Sequence, residues 1–394
     1  MPWLIWITAT IFVLFQFFLQ AAAGLMAESW HHDFSLNKIE IGYLSSAFFV
    51  SYVLMQIPVG LAYDRFGARK VMFIAAMLLS IGSFGTGQSY HYMYAVFFRV
   101  IMGVGSAFGF IGMLYVTALW FSKARFTFLI GISETLASVG VAVAEIIMAY
   151  IISHQGWRYL MTIAGWIALI VGLTVLIIVR DRDDQYYKPA SSLPLKQSII
   201  MSVSNKTVWL AGLYGFATFS IVNVFVNLWG VPFFVSEKWS LHRAGIFMSA
   251  IFIGFAVGGP FNAWIVNHWK NRRFVTTLSP LIAAAIFSFI LCYPTQPFTI
   301  MSIVLFCLGF ISPTYIHVYA VVRETVPLSI RATALSTANM ILMSSALLLQ
   351  PLIGKLLESG FSYAEALSIH IVLLVGASLI TFVFKEDNAQ SMKK

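Results

Sequence analysis

The sequence predicts an all-α membrane protein of twelve transmembrane helices, arranged as two pseudo-symmetric halves of six. Hydrophobic residues make up 60% of the chain and charged residues only 10%, whereas about a quarter of the residues in soluble domains are charged. A membrane-spanning helix needs about 20 apolar residues. The 394 residues therefore accommodate twelve spans with short loops, and little chain is left for a soluble domain.

Basic residues fall on alternate loops of this topology, for example at Arg65, Arg125, Arg180 and Arg331. Such loops face the cytoplasm in membrane proteins. The basic residues that give the net charge of +9 are therefore expected at one face of the membrane. This explains the charge without a nucleic-acid partner, and none is expected. We predict a multi-pass plasma-membrane protein of the bacterial inner-membrane type, with both termini cytoplasmic. Residues 1–27 are interpreted as the first span rather than a signal peptide, because no basic residue precedes the apolar run.

A polar stretch at residues 181–206 predicts a central cytoplasmic linker between halves at 1–180 and 207–394. An internal repeat supports this division, since Gly156 aligns with Gly360 at an offset of 204 residues. At nearly the same offset, Glu134 aligns with Asn339 and Glu145 with Gln350. The second half has kept polarity at these positions and lost charge.

The segment from Gly60 to Lys70 places charges between two long apolar segments, which predicts a tight loop between the second and third spans. Gly60 permits close backbone approach, and Asp64 can meet the dipole of a helix N-terminus. A basic stop-transfer loop is the alternative. The pattern Gly-x-x-x-Asp-Arg-x-Gly-x-Arg-Lys resembles the signature loop of the major facilitator superfamily.

Further matches to this superfamily recur along the chain. Arg99-x-x-x-Gly103-x-Gly105 resembles its fourth-helix motif, and the residues Gly156 to Tyr159 resemble the entry of its sixth helix. The resemblance implies a secondary transporter that works by alternating access around a site near the midplane. Within the superfamily, residues 52–70 look most like prokaryotic organic-anion importers.

The signature loop is predicted to latch the outward-open state, with the Asp64 carboxylate near Arg331 and the N-terminus of the eleventh helix. The latch residues in this hypothesis are Gly60, Asp64, Arg65, Gly67, Arg69, Arg125 and Arg331. Arg125 would make the weaker, neutral contact with Asn267, because the second loop lacks the acidic residue and the glycine.

Arg99 lies several residues inside a predicted span, where a guanidinium is costly and by default faces a cavity or a carboxylate. We expect it to belong to the substrate or coupling site and to pair with Glu145, which lies at a similar predicted depth. A carboxylate or phosphate on the substrate would suit it. Purely structural pairing is the alternative.

Glu134 and Glu145 are eleven residues apart in the fifth span, close to three helical turns, and so share one face about 16 Å apart. Inserting an acidic side chain at the centre of a membrane helix costs roughly 2.5 to 3.5 kcal/mol on insertion scales. We therefore expect these carboxyl groups to serve a function. Glu134 is predicted to couple transport to protons, with Glu145 and His317 as further candidates. The alternatives are that Glu134 only holds helices together and that His317 is a buried hydrogen-bonding residue.

Polar side chains on other spans are candidates for substrate binding. Gln16 and Gln20, and likewise Asn223 and Asn227, lie four residues apart on one helix face. Interhelical hydrogen bonding is the alternative for both pairs. Gly230 and Pro232 permit a break in the seventh span. The remaining candidates are Tyr52, Tyr315 and Tyr319.

Together these observations predict proton-coupled symport of a small organic solute, with an organic anion among the candidates. Sodium coupling is an alternative, although no clustered set of oxygen ligands stands out in the sequence. Proton-driven efflux of drugs or a siderophore is an alternative, although the fifth span lacks the Gly-Pro-rich motif associated with antiporters. A non-transporting sensor on the same fold is another. No nucleophile–base set or metal cluster appears, so we expect no enzyme activity, metal or cofactor. The expected partners are a small-molecule substrate, protons and the lipid bilayer, and we expect a monomer.

Overall fold

The computed structural model describes residues 1–181, 194–269, 272–327 and 330–383. Within these ranges the chain is helical, and twelve helices are long and apolar enough to cross a membrane. The first to twelfth spans are Pro2–Phe34, Lys38–Tyr63, Arg65–Gly87, Tyr92–Trp120, Phe128–Gln155, Trp157–Ile178, Lys206–Ser236, Leu241–Asn262, Arg273–Cys292, Phe298–Thr325, Thr333–Glu358 and Tyr363–Ile380. The predicted twelve-helix membrane fold is confirmed.

Several spans belong to longer or interrupted helices. The second and third spans form one helix, Lys38–Gly87, that loses helical geometry at Gly67. The fifth, eighth, ninth and eleventh spans extend to Lys123–Gln155, Leu241–Trp269, Arg272–Cys292 and Arg331–Glu358, and the twelfth consists of Tyr363–Leu367 and Ile369–Ile380. A short helix, Leu195–Val203, lies inside the predicted linker. Residues 182–193 lie outside the described ranges, so the domain boundaries stay a prediction.

The seventh and tenth spans change helical geometry partway. The seventh runs through Lys206–Ser220, a π-helix at Ile221–Trp229 and Gly230–Ser236. The widening therefore precedes Gly230, and the helix continues through Pro232. The tenth span consists of Phe298–Ile311, a 3₁₀ turn at Ser312–Ile316 and His317–Thr325. Pro313 has no N–H to donate, which accounts for this local change.

The two ends of the bundle differ in charge. We call the end that carries residues 64–70, 120–125 and 330–331 the basic end. The other end, with turns at 35–37, 88–91 and 359–362, is called the opposite end.

The two halves are in direct backbone contact at the opposite end. A Cβ atom added to Gly42 in the second span would lie 2.7 Å from the Gln350 carbonyl oxygen of the eleventh span. One added to Gly354 would lie 2.3 Å from the Lys38 carbonyl oxygen. In addition, the Lys38 N–H donates a 2.6 Å hydrogen bond to Glu358. Only glycine fits at these crossings, and they close this end of the bundle.

Other cross-half contacts near the opposite end follow the same pattern. A Cβ atom added to Gly24 of the first span would lie 3.1 Å from the Leu228 carbonyl oxygen of the seventh span. A Cβ atom added to Gly245 of the eighth span would lie 2.9 Å from the Cβ atom of Ala149 in the fifth span. Small residues at helix crossings let membrane helices approach closely, and packing then replaces the hydrophobic effect as the driving force.

The long helix is broken at Gly67, and the Asp181 carboxylate lies against this glycine. Its φ is 77° and its ψ 165°, a region that is essentially restricted to glycine. A Cβ atom there would lie 2.6 Å from Cγ of Asp181. Asp181 also accepts a 3.1 Å hydrogen bond from the Arg69 N–H, while Arg69 Nε donates to the Leu176 carbonyl oxygen at 2.8 Å. The end of the sixth span thus fixes the signature loop.

Replacing Gly67 with Ala is expected to destabilise the protein by about 1 to 3 kcal/mol, because the backbone conformation and the Asp181 contact both exclude a Cβ atom. Thermal unfolding in detergent measures this. The same substitution in an Asp181→Ala background should cost less, since only the backbone strain remains. Equal costs in both backgrounds would show that Asp181 does not restrict this position.

Candidate functional site

A cavity of about 40 Å³ lies between the first, fifth, seventh, eighth and tenth spans, where the two halves meet. This volume has room for only one or a few water molecules, so the site is nearly closed in this conformation. Its lining consists of Phe17, Gln20, Glu134, Ser138, Val141, Phe219, Val222, Asn227, Phe252, Phe255 and Tyr315.

Four predicted site residues line this cavity: Gln20, Glu134, Asn227 and Tyr315. The Gln20 Nε2 atom is buried and has no hydrogen-bond partner among the described residues. The Glu134 carboxyl group makes no ion pair or side-chain hydrogen bond to any described residue. These polar groups are therefore available to a ligand.

The lining contains no lysine, arginine or histidine. An unpaired carboxylate in a small cavity of this kind is costly unless it is protonated or meets a cationic ligand. Glu134 lies within electrostatic range of Tyr52, Tyr315 and Tyr319, and these neighbours carry no positive charge. Any charge on Glu134 is therefore poorly compensated by the groups around the cavity.

A chain of hydrogen bonds, which we call the polar bridge, joins the two halves beside the cavity. It consists of Gln16, Tyr52, Gln56, Asn339 and Tyr319. Gln16 Nε2 donates to the Tyr52 hydroxyl at 3.4 Å, and Gln56 Nε2 donates to the Tyr52 carbonyl oxygen at 3.4 Å. Asn339 Nδ2 donates to Gln56 Oε1 at 2.8 Å, and the Tyr319 hydroxyl donates to Asn339 Oδ1 at 2.6 Å. The contact between Gln56 and Asn339 connects the second span with the eleventh.

The polar bridge lies on the basic side of the cavity. Gln16 precedes the cavity-lining Gln20, and Tyr319 follows the cavity-lining Tyr315, each by one helical turn or about 6 Å toward the basic end. Gln56 and Asn339 were not predicted as site residues. The internal repeat does single out Asn339 as the counterpart of Glu134, but its partner in the other half cannot be read from the sequence.

Arg99 lies outside the cavity lining and forms no ion pair with Glu145 in this conformation. Its Nη2 donates to the Ser45 carbonyl oxygen at 3.1 Å and its Nε to the Leu44 carbonyl oxygen at 3.4 Å. Its guanidinium carbon lies 5.4 Å from the ring centroids of both Trp30 and Phe48.

We predicted a pair between Arg99 and Glu145 because the two residues have a similar predicted depth in the membrane. That reasoning left out the backbone carbonyl groups of the second span, which accept the hydrogen bonds of Arg99. Both carboxyl oxygens of Glu145 are buried and have no hydrogen-bond partner. Pairing of Arg99 with Glu145 in another conformation remains a prediction.

Asn223 and His317 are buried but do not belong to the cavity lining. Asn223 Nδ2 donates to Ser345 Oγ at 2.9 Å, and the Asn223 carbonyl oxygen accepts a 2.8 Å hydrogen bond from Gln350 Nε2. The interhelical alternative therefore describes Asn223 here, unlike Asn227.

The predicted latch is only partly visible. The side chains of Asp64 and Asn267 and the residues 328–329 lie outside the described part of the structure, so the latch contacts stay predictions. Arg65 and Arg125 are exposed, and Nε of the half-buried Arg331 has no hydrogen-bond partner among the described residues. A Cβ atom on Gly60 would meet no described atom within 4 Å, so the expected close backbone approach is not seen in the part of the chain that the structure describes.

Comparison with known proteins agrees with this architecture. The chain is 24% identical over 393 residues to the D-galactonate transporter of Escherichia coli O6:H1, covering 90% of this chain and 89% of that one. It is 20% identical over 420 residues to a probable galactarate/D-glucarate transporter of Escherichia coli K12, covering 95% and 92%.

Solved structures share the fold. A D-xylose-proton symporter superposes with a TM-score of 0.79 at 17% identity, covering 97% of each chain. A bacterial homologue of the human lysosomal transporter Spinster, inward-facing and unoccupied, superposes with a TM-score of 0.78 at 16% identity, covering 97% of this chain and 96% of that one. The family model of the Major Facilitator Superfamily matches residues 5–351 and 235–394, so the chain belongs to this superfamily of membrane transporters.

Proposed function

We propose that this protein imports a small organic anion together with protons, by alternating access across the bacterial inner membrane. The observation that carries the proposal is the unpaired carboxyl group of Glu134 in a closed cavity between the two halves. The relatives support the substrate class, because those named above are transporters of galactonate and of galactarate or D-glucarate.

Glu134 links anion binding to protonation through simple electrostatics. Two negative charges in a cavity without a cationic side chain repel each other strongly, so the anion binds well only when Glu134 is protonated. The neutral carboxyl group can then donate a hydrogen bond to the substrate. Gln20, Asn227 and Tyr315 supply further polar groups from the other walls. Each anion bound in this way brings at least one proton with it.

The polar bridge is proposed to act as the gate on the cytoplasmic side. By the positive-inside rule, we expect the basic end and both termini on the cytoplasmic side. Breaking the hydrogen bond between Asn339 and Gln56 would let water reach Glu134 from that side, since Glu134 is the lining residue of the fifth span nearest the basic end. Loss of the proton would then favour release of the anion.

Glu134→Gln is expected to separate binding from coupling. Its amide resembles the protonated acid but cannot titrate, so the variant should still exchange substrate across a liposome membrane. It should not accumulate substrate when the outside is made acidic, whereas the wild-type protein should. D-galactonate is the first probe, and the readout is uptake of labelled substrate under an imposed proton gradient.

Glu237→Gln provides the matched control, because this carboxyl group lies in a turn at the opposite end and away from the cavity. It should retain proton-driven accumulation. If the Glu134→Gln protein accumulates substrate at the wild-type level, Glu134 is not the coupling group, and Glu145 and His317 become the next candidates.

Gln56→Leu and Asn339→Leu should show energetic coupling in a double-mutant cycle. Interhelical hydrogen bonds in membranes average about 0.6 kcal/mol and reach about 1.7 kcal/mol, so the coupling energy is expected in this range. The double variant should lose less stability than the sum of the single variants, as measured by denaturant unfolding. Additivity within about 0.3 kcal/mol would exclude a direct interaction between the two side chains.

Asp64→Asn is expected to slow transport while changing the free energy of unfolding by no more than about 1 to 2 kcal/mol, the size of one lost charge and dipole contact. Initial uptake rates and thermal unfolding on the same preparation test both parts. Wild-type transport by this variant would remove the signature-loop latch from the mechanism.

A further inference from the structure

The cavity has walls of different chemistry. Phe17, Phe219, Phe252 and Phe255 contribute four phenyl rings to a lining that contains no basic side chain. The polar groups are few: the side chains of Gln20, Glu134, Ser138, Asn227 and Tyr315. Of these, the Ser138 hydroxyl already donates to the Glu134 carbonyl oxygen at 2.9 Å.

The aromatic residues of the second half form one continuous surface. The rings of Phe219 and Tyr315 have centroids 4.5 Å apart, and the Phe255 ring stacks on Tyr315 at 5.9 Å with an interplanar angle of 23°. Phe219 and Phe255 also meet edge to face at 6.5 Å. The cavity of about 40 Å³ must widen before it admits a ring. Once it has widened, this surface can accept a flat apolar group by the same offset-stacked and edge-to-face contacts.

The unpaired polar groups provide a place for one polar head. The Gln20 amide nitrogen is buried without a partner, and the Asn227 side chain makes no hydrogen bond to any described residue. Two amides, the Tyr315 hydroxyl and a protonated Glu134 carboxyl group can donate hydrogen bonds to a single carboxylate. The neighbouring side chains of the polar bridge are hydrogen-bonded to one another in this conformation. Few groups are therefore left to pair with the hydroxyl groups along a sugar acid.

We propose that the site prefers a monocarboxylate with an apolar, aromatic body over a polyhydroxylated sugar acid. This inference rests on the proposed function and specifies its substrate class. Each buried hydroxyl group left without a partner costs roughly 5- to 150-fold in affinity. A sugar acid would direct several of its hydroxyl groups at the phenyl rings, whereas the ring of an aryl acid would stack on them.

Binding measurements on the full-length protein in lipid nanodiscs, at mildly acidic pH, test this inference with two probes of equal charge. Phenylacetate has one ring and one carboxylate, and D-galactonate has the same head on a hydroxylated chain. Titration calorimetry should show that phenylacetate binds at least about tenfold more tightly.

Two leucine substitutions on the eighth span separate the ring contact from general effects. Phe255→Leu keeps an apolar side chain but removes the stacking surface, so phenylacetate affinity should fall roughly 3- to 10-fold. Phe261→Leu is the matched control, because Phe261 lies on the same helix, is exposed and packs against Phe310 outside the cavity. This control should leave phenylacetate affinity unchanged.

Gln20→Leu should weaken both acids, since it removes a donor to the shared carboxylate. Tighter or equal binding of D-galactonate, or equal effects of Phe255→Leu and Phe261→Leu, would overturn the aromatic-acid inference. Proton-driven accumulation of D-galactonate by the same preparation would leave the proposed function intact in that case. If the protein accumulates no organic anion under a proton gradient, the proposed function itself fails.

Discussion

The hydrocarbon interior of a bilayer offers no hydrogen-bond partners, and this constraint governs which polar groups the chain tolerates and where. Most buried polar side chains are paired within the bundle. Arg99 donates to two carbonyl groups of the second span, and Asn223 bonds to Ser345 on the eleventh. Such residues hold helices together. The informative exceptions are unpaired groups such as Gln20 and Glu134, which face one small cavity between the halves.

The two halves use equivalent positions for different purposes. Glu134 in the fifth span aligns with Asn339 in the eleventh. Glu134 keeps a titratable group at the cavity, while Asn339 carries the hydrogen bond that joins the halves through Gln56. An amide can both donate and accept, as Asn339 does between Gln56 and Tyr319, whereas a carboxylate can only accept. Loss of charge in the second half is thus consistent with a bridging role.

The cavity is closed in different ways on its two sides. Close helix packing closes the opposite end, and hydrogen bonds of the polar bridge close the basic side. Backbones at Gly42 and Gly354 touch their partner helices directly, so a larger side chain would force those helices apart. The polar bridge, in contrast, consists of neutral side-chain hydrogen bonds that water can replace at modest cost. Of the two closures, the polar bridge is therefore the easier one to break.

The sequence by itself determined the membrane class, the number of spans, the family and the residues with unusual polarity, because these depend on composition and local spacing. Gln20, Glu134, Asn227 and Tyr315 could be named in this way. It did not determine which of the equally polar neighbours face the cavity. Asn223 and Asn227 share a helix face in an ideal helix, yet the π-helix at Ile221–Trp229 and the packing of the eleventh span separate their environments.

Partners from distant parts of the chain were decided only by the tertiary structure. The hydrogen bond between Gln56 and Asn339 spans 283 positions, and the carbonyl groups that bind Arg99 lie on a different helix at residues with no unusual side chain. The sequence around a residue indicates how deep it lies in the membrane and on which face of its own helix. The packing of all twelve spans decides which neighbouring helix a residue contacts. Rotation of a helix about its own axis can turn the same side chain from the lipid to another helix, and the sequence is the same in both cases.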